Sequence, residues 1–329
     1  MPKIMVLIVT YNRINYLKKL LEGLNKQTIN INKLCIVDNF SNDETNGELI
    51  KLGYAKSDKV DIIQELKREN TNILYYRNSQ NTGGSGGFAK GFSIALKYEW
   101  DYLWIMDDDV LPANNCLEEL LKFQTEKVGI TIPNRTTDGY SESVCTNINL
   151  KNPFKFFMNK KTIRKINKED INIDVVDITF EGPLISREVI EKVGLPDEKY
   201  FIQFDDTDYA TRALNYTKIQ LITASHLYKQ IIPEKNKRRY MNWKDYYSFR
   251  NYILFCKKYG QNAMVRNWTP IILWINLSLK ALLKLKFKNF KIINKVFIDG
   301  IKGKSGKTIE PRFNIIKYII INGEKSEQK

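Results

Sequence analysis

The stretch Tyr102-Leu103-Trp104-Ile105-Met106-Asp107-Asp108-Asp109-Val110 runs an apolar segment straight into three consecutive carboxylates. A short apolar run bounded by charge reads as a buried strand that stops at the edge of a sheet. Three adjacent anions repel one another, so folding alone does not favour them. A divalent cation removes the conflict, because hard oxygen ligands at a strand end suit Mg²⁺ or Mn²⁺ with substrate phosphates completing the shell. Side chains alternate along an extended segment, which puts Asp107 and Asp109 on one side as the pair around a single ion. The competing reading is an acidic surface turn.

The first 130 residues alternate between two patterns. Residues 4–9, 33–37, 73–76 and 102–106 read as strands and 16–24 and 88–99 as helices, with 49–52 and 60–66 in helical or mixed stretches. Strands separated by helical segments argue for βαβ units and a parallel sheet. In open sheets of this kind ligands sit beyond the carboxyl ends of the strands. Thr10, Asp38, Arg77 and Asp107 all follow expected strand ends, so the fold brings them towards one crevice. Further on, 151–168 is a basic loop or helix interleaved with Phe154, Phe156 and Phe157, 175–180 and 220–224 are strands, and 187–193 is a helix stopped by Gly194-Leu195-Pro196. A second acidic cluster, Asp205-Asp206-Thr207-Asp208, precedes a helix expected near Tyr209.

Hydrophobic content of 43% and charged content of 27% are ordinary for a globular chain of 329 residues. The net charge of +15 is not, and it is local. Residues 229–307 hold 19 Lys and Arg against Glu234, Asp245 and Asp299, whereas residues 1–228 hold 29 against 31 acidic residues. The reading is a nearly neutral domain over 1–228 and a basic helical region over 229–329. Cys35, Cys116, Cys145 and Cys256 have neither zinc nor redox spacing and read as reduced thiols of a cytosolic protein. The first nine residues lack a basic leader, so no signal peptide is expected. Residues 271–285, broken by Asn276, Lys280 and Lys284, are too short and polar for a membrane span.

Asn81-Thr82-Gly83-Gly84-Ser85-Gly86-Gly87-Phe88 follows the third strand and opens a helix. Glycines let backbone approach a ligand, and amides at a helix start attract phosphate, although a flexible turn has the same composition. The segment is neither a P-loop nor a dinucleotide fingerprint in register with the first strand. Asp38 is placed to accept a nucleobase N–H; a turn-capping role is the alternative. His226 is the only histidine, which makes a Ser-His-Asp hydrolase or a His-rich zinc site hard to build, and a lone His near a strand is more often structural.

Taken in order, Val9-Thr10-Tyr11-Asn12-Arg13, Val37-Asp38-Asn39 with Ser41 and Asp43, Asp107-Asp108-Asp109, and Phe204-Asp205-Asp206-Thr207-Asp208-Tyr209 resemble a family-2 inverting glycosyltransferase. The glycine segment, with Tyr246-Tyr247 and Arg250-Asn251, is similar to the galactofuranosyltransferase branch, near rhamnosyltransferases. The likeness covers roughly residues 1–255 and is weaker around Gly300, Gly303 and Gly306. It implies an α/β fold of the GT-A type, a Rossmann-like, mostly parallel mixed sheet flanked by helices, with the basic helical region as an extension. It further implies that Thr10, Arg13, Asp38, Asn81, Gly83, Gly84, Asp107 and Asp108 bind the donor nucleotide sugar. Asp107, Asp109 and His226 would hold Mn²⁺ or Mg²⁺, Asp206 would be the catalytic base, and Asp205 its acidic neighbour near the acceptor. The family often has Trp before this acidic pair; Phe204 stands there.

The expected reaction moves a sugar from UDP-galactofuranose, or alternatively dTDP-rhamnose, to a saccharide or lipid-linked oligosaccharide during polysaccharide synthesis. A nucleotidyltransferase shares the strand-end carboxylates, but residues 9–13 lack a cationic phosphate loop. A nucleic-acid-binding role for the basic region is disfavoured, because apolar residues at helical spacing replace a recognised module. Trp268, Trp274, Leu282 and Phe287 among Lys280, Lys284, Lys286 and Lys288 suit an anionic membrane surface better, which places the protein in the cytoplasm, peripheral to the inner face of the plasma membrane; the alternative is helices that only cover the core with their lysines in water.

Overall fold

The structure, a computed structural model, describes residues 1–137, 140–141, 143–231 and 241–310. These described residues fall into two compact units. One draws on Met1–Asn147, Ile163–Glu198 and Asp206–Pro233, the other on Ile148–Thr162, Lys199–Asp205 and Glu234–Lys329. The sequence reading divides the chain once, at 228/229. The second unit also takes in the two short insertions, whose Phe156, Phe157, Phe201 and Phe204 join its apolar clusters. Residues 232–240 and 311–329 of the expected basic region lie outside the described residues.

The first unit is organised around β1 (Ile4–Thr10), buried at all seven positions. The chain continues through α1 (Ile14–Asn25), β2 (Lys33–Asp38), α2 (Thr45–Lys51), β3 (Ile63–Arg68), β4 (Thr71–Arg77), α3 (Gly83–Ala95), β5 (Tyr102–Asp107), β6 (Val110–Pro112) and α4 (Cys116–Leu121). Then follow β7 (Val128–Thr137), β8 (Tyr140–Ser141), β9 (Ser143–Ile148), β10 (Lys161–Lys165), β11 (Asn172–Val175), β12 (Leu184–Ser186), α5 (Arg187–Val193), α6 (Asp205–Ala213) and β13 (Lys218–Lys229). The main sheet runs β11-β13-β7-β12-β5-β1-β2-β4-β3. β1 pairs in parallel with β2 and β5, and β2 in parallel with β4. β12 enters antiparallel between β5 and β7, so the sheet is mixed, as the resemblance implied.

Alternation along the strands builds two apolar layers. Met5, Leu7 and Val9 face Phe88 and Phe92 of α3, while Ile4, Val6 and Ile8 join Leu17, Leu20 and Leu21 of α1. Both faces being covered explains why β1 reads as an unbroken hydrophobic run. The stretch 60–66, expected to be helical or mixed, instead leads into β3, which starts at Ile63 as an antiparallel edge strand beside β4. Its alternate exposure suits an edge with one wet face. The strand expected at 175–180 lies earlier, over Asn172–Val175. The helix expected at 88–99 begins five residues sooner, at Gly83, and takes in the glycine run.

The second unit is helical: α7 (Trp243–Tyr259), α8 (Thr269–Leu283) and α9 (Phe287–Ile301). Asn242 caps α7 in a reciprocal box with Asp245. Tyr246, Tyr247 and Ile253 of α7 cluster with Ile292 and Val296 of α9. The buried Asp299 carboxylate accepts from Tyr246 Oη at 2.6 Å and pairs with Lys295 and Lys304 at 2.9 and 3.0 Å. The four cysteines are all buried thiols.

The glycines of α3 set its approach to β1. A methyl at Gly91 would stand 2.4 and 2.7 Å from the two Leu7 Cδ atoms, whereas one at Gly84 meets nothing within 4 Å. Gly91→Ala is therefore expected to lower the unfolding free energy by about 1–3 kcal/mol. Gly84→Ala should leave it unchanged or slightly raised, since alanine is the better helix former. Urea titration of both variants measures the difference.

Candidate active site

Sheet register brings the expected residues to one edge. Thr10 lies opposite Asp38, Asp38 opposite Arg77, and Val9 opposite Asp107, so the ends of β1, β2, β4 and β5 form one row. The chain then turns, and the Asp108 carboxylate folds back under β1. Thr10 Oγ1 donates to its Oδ2 at 2.8 Å, and the Tyr11 N–H donates to the same oxygen at 3.2 Å. Arg13 Nη1 reaches Asp108 Oδ1 at 3.0 Å and Asp109 Oδ2 at 2.8 Å. Asp108 is only 3% exposed. Burial pushes its carboxyl up to about 6, against the opposing pull of Arg13 and Thr10. The middle aspartate is thus the fixed anchor of the triplet, and Thr10 and Arg13 are its clasp.

Asp107 carries the unresolved charge. Burial, then the neighbouring Asp109, Glu181 and Asp108 carboxylates, push its carboxyl well above the usual range, and Arg13 only partly offsets them. Such crowding is what a hard divalent cation relieves, and Mg²⁺-type ions need only one or two carboxylates beside substrate phosphates. Asp107 and Asp109 therefore fit that role. His226 does not join them. Its carbonyl accepts the Ala113 N–H, whereas Asp109 O accepts from the Gln230 N–H, four residues further along the same chain direction. Four residues of extended chain separate the two backbones by about 13 Å. Among the described residues no three His, Cys, Asp or Glu side chains gather in a metal-holding group.

Asp38 also differs from expectation. It is fully buried, and its oxygens accept from the Ser41 N–H at 2.7 Å and from Tyr75 Oη at 3.0 Å, with Arg77 Nε 3.4 Å away. Its carboxylate braces the turn after β2, the capping contact that was the alternative reading. Asn81 is likewise engaged: its Oδ1 accepts the Gly83 N–H at 2.8 Å and an Asn39 amide hydrogen at 3.3 Å. Asn39 in turn donates to Gly83 O at 2.8 Å and accepts from Thr82 N at 3.0 Å, which ties the start of α3 to the end of β2. Gly83 takes a φ of +75°, a conformation open to glycine, and Gly84 is the position of the run with open space around it.

The second acidic cluster opens α6. Asp206 Oδ1 accepts the Thr207 N–H at 2.7 Å, Asp205 is buried, and the fully buried Asp208 pairs with Arg212 at 3.0 Å. The helix begins at Asp205, four residues before the start expected from the sequence. Just before it, Phe201, Gln203 and Phe204 all have positive φ, between 65° and 72°. This strained loop is held by Asn251, whose Nδ2 donates to the carbonyls of Tyr200, Ile202 and Gln203 at 2.8–2.9 Å. The fully buried Arg250 adds a bond to Tyr200 O at 2.9 Å. Arg250-Asn251 was visible in the sequence only as a recurring pair; its work is to pin that turn.

Two further site residues went unread. Arg135 Nη1 donates to Glu181 Oε2 at 2.6 Å, and Lys229 Nζ stands 2.9 Å from the same oxygen. The signal for them was a carboxylate next to Gly182-Pro183, easily taken for loop punctuation.

Residues 5–194 match the family described as "Glycosyl transferase family 2". The chain belongs to that family. Among curated relatives, this family-2 chain is 31% identical over 155 residues to the abequosyltransferase RfbV of Salmonella typhimurium, covering 46% of the chain and 40% of the relative. It is 25% identical over 217 residues to the galactofuranosyltransferase GlfT1 of Mycolicibacterium smegmatis, covering 62% and 63%. The chain thus spans less than two-thirds of either relative. Among solved structures, GalNAc-T7, crystallised with UDP, GalNAc and Mn²⁺, superposes with a TM-score of 0.61 at 12% identity over 92% of this chain and 56% of that one. The shared fold is that of the GT-A glycosyltransferases, as the sequence led one to expect.

The clasp on Asp108 makes a specific energetic claim. Arg13→Met should lower stability by about 1–3 kcal/mol, because it leaves a buried carboxylate short of its cation. Combining it with Asp108→Asn should recover much of that loss. A double-mutant cycle in urea reads the coupling, and simple additivity of the two losses would contradict the clasp.

Proposed function

We propose that the protein is a nucleotide-sugar-dependent, inverting glycosyltransferase. The observation that carries this reading is the strand-end row in which Thr10 and Arg13 lock Asp108, leaving Asp107 and Asp109 crowded at the carboxyl edge of a parallel sheet. That edge is where open α/β sheets bind nucleotides. Asp107 and Asp109 are the residues that would hold Mn²⁺ or Mg²⁺ on the donor diphosphate. An ion held there would supply Lewis-acid stabilisation to the departing nucleoside diphosphate. Gly83 and Gly84 open α3, and their backbone lies where a diphosphate can approach a helix start.

On this reading Asp206 is the base. The acceptor hydroxyl attacks the anomeric carbon as the bond from that carbon to the diphosphate oxygen breaks with its electron pair. Asp206 takes the hydroxyl proton, and a single displacement inverts the anomeric centre. Asp205 is its buried neighbour in sequence. Position within the pair follows the family resemblance.

The donor we favour is UDP-galactofuranose, with dTDP-rhamnose as the alternative. The similarity to the mycobacterial galactofuranosyltransferase and the unoccupied space around Gly84 support room for a furanose with an exocyclic chain. The similarity to an abequosyltransferase keeps deoxysugar donors in the comparison.

The acceptor we favour is lipid-linked, because the second unit carries a surface suited to membrane. Ile275, Leu279, Leu282 and Leu283 of α8, Leu285 of the turn and Phe287 of α9 are all exposed, Leu283 at 84% and Leu285 at 75%. Lys280, Lys284, Lys286, Lys288 and Lys291 surround them, and no acidic residue occurs between Asp245 and Asp299. Trp268 is exposed, but Trp274 is not part of this face: it stacks on Phe297 and donates to Asn294 Oδ1 at 2.8 Å. Among the described residues no helix is long and apolar enough to cross a membrane. The occupant we assign is an anionic lipid surface, which meets apolar tip and lysine rim together.

Two tests follow. Incubated with UDP-galactofuranose and a lipid-linked saccharide, the protein should release UDP, not pyrophosphate, and form a product of inverted anomeric configuration. EDTA, Asp107→Asn or Asp109→Asn should abolish turnover, and Asp206→Asn should lower kcat by about 10²–10⁴-fold with UDP binding intact. Activity in excess EDTA would contradict the metal role, and a higher kcat/KM for dTDP-rhamnose would overturn the donor.

For the membrane face, sedimentation with phosphatidylglycerol vesicles should weaken as salt rises. The double variant Leu283→Ser/Leu285→Ser should bind about tenfold less or worse, as two apolar anchors are lost. Binding indifferent to lipid charge and to both leucines would remove the assignment.

A further inference from the structure

We propose that Arg135 and Lys229, clamped on Glu181, form a cationic seat for the donor diphosphate, at the place beside Asp109 where the sequence led one to expect His226. The inference rests on the glycosyltransferase reading of the same site and adds residues that the reading does not use.

The seat is placed by three elements. The Gly182 N–H donates to Ile105 O at 2.7 Å, and the Ile105 N–H donates to Pro183 O at 3.0 Å, so Glu181 lies beside the last residues of β5. Arg135 comes from the end of β7, opposite Leu227 of the parallel β13. Lys229 ends β13 opposite Val110, and the next residue, Gln230, donates its N–H to Asp109 O at 2.9 Å. Both cations meet Glu181, at 2.6 Å from Arg135 and 2.9 Å from Lys229. All three side chains are largely shielded, with 12%, 16% and 15% of Arg135, Glu181 and Lys229 exposed.

The same backbone bonds bring the clamp to the aspartates: Gly182 meets Ile105 two residues before Asp107, and Gln230, next to Lys229, meets Asp109. Burial opposes the charged form of Glu181, and Arg135 and Lys229 overcome it and hold its carboxyl below the usual range. Two fixed cations therefore stand at the carboxyl edge of the sheet, where an anionic ligand binds. A guanidinium matches two phosphate oxygens in one plane, and an ammonium supplies a point charge. Glu181 preorganises both, so little ordering remains to be done when the diphosphate arrives or departs. With His226 about 13 Å further along the strand, Lys229 is the basic side chain that β13 brings next to Asp109.

The test compares UDP with uridine, by calorimetry and ligand-observed NMR, in Mn²⁺ and in EDTA. Lys229→Ala and Arg135→Ala should each weaken UDP by roughly 10- to 100-fold in both conditions, while uridine binding stays within twofold of wild type. Lys229→Arg should recover most of the loss. If Lys229→Ala fails to fold because Glu181 is left with less charge to meet it, Lys229→Ala/Glu181→Gln removes that conflict and should show the same loss. UDP affinity within twofold of wild type in folded variants overturns the seat. So does an equal loss of UDP and uridine, which marks a purely structural clamp. A wild-type protein that binds neither UDP nor dTDP fails the glycosyltransferase reading itself, and the seat falls with it.

Discussion

Like charge packed at a sheet edge is the constraint on which this molecule turns. Asp107, Asp108, Asp109 and Glu181 crowd one end of the first unit, and two unit charges 4 Å apart repel by about 4 kcal/mol at an effective dielectric of 20. The chain meets this with cations drawn from far away in sequence: Arg13 on Asp108 and Asp109, Arg135 and Lys229 on Glu181. Asp107 has no such partner among these cations and keeps a carboxyl pushed well up by burial and its neighbours. A stable fold tolerates that state where a ligand completes the charge balance, which is the sense in which the architecture and the chemistry are one problem.

The backbone serves the same edge. Gly87 and Gly91 let α3 lie against Val9 and Leu7, close enough that any side chain at either position would clash. That contact sets the start of α3 over the ends of β1 and β2, where Asn39 ties down Thr82 and Gly83. The glycine run is therefore mostly a packing device, with Gly83 and Gly84 left at the open end.

Much of this was legible in the sequence because it is local. The runs that became β1, β2, β4 and β5 are buried through their centres, and each ends at a polar residue, so both strands and crevice could be read from pattern. Arg187–Val193 was read correctly as a helix, since Ser186 and Gly194 mark its ends. What failed was non-local or ambiguous. β3 holds only Ile63 and Leu66 as apolar residues, three apart, a spacing that mimics a helical or mixed segment. Glycines have poor helix propensity, so the first turn of α3 read as loop and only tertiary packing made it helix. His226 was assigned by resemblance, yet ladder register places it by Ala113 and puts Lys229 and Gln230 near the aspartates. Asp38 follows a strand end as a ligand residue would, but Tyr75 and Ser41, invisible as partners in one dimension, enclose it. Lys229 and Glu181 are 48 residues apart, and no periodicity links them.

The central claim is that the strand-end carboxylates Asp107 and Asp109 carry the donor diphosphate through a divalent ion. Crystals grown with UDP and Mn²⁺ test it most directly through the anomalous signal of the metal. The account predicts one peak within coordination distance of the Asp107 and Asp109 carboxylates and of both phosphates, with His226 outside its shell. A diphosphate bound away from these aspartates, or a peak ligated by His226, would contradict it.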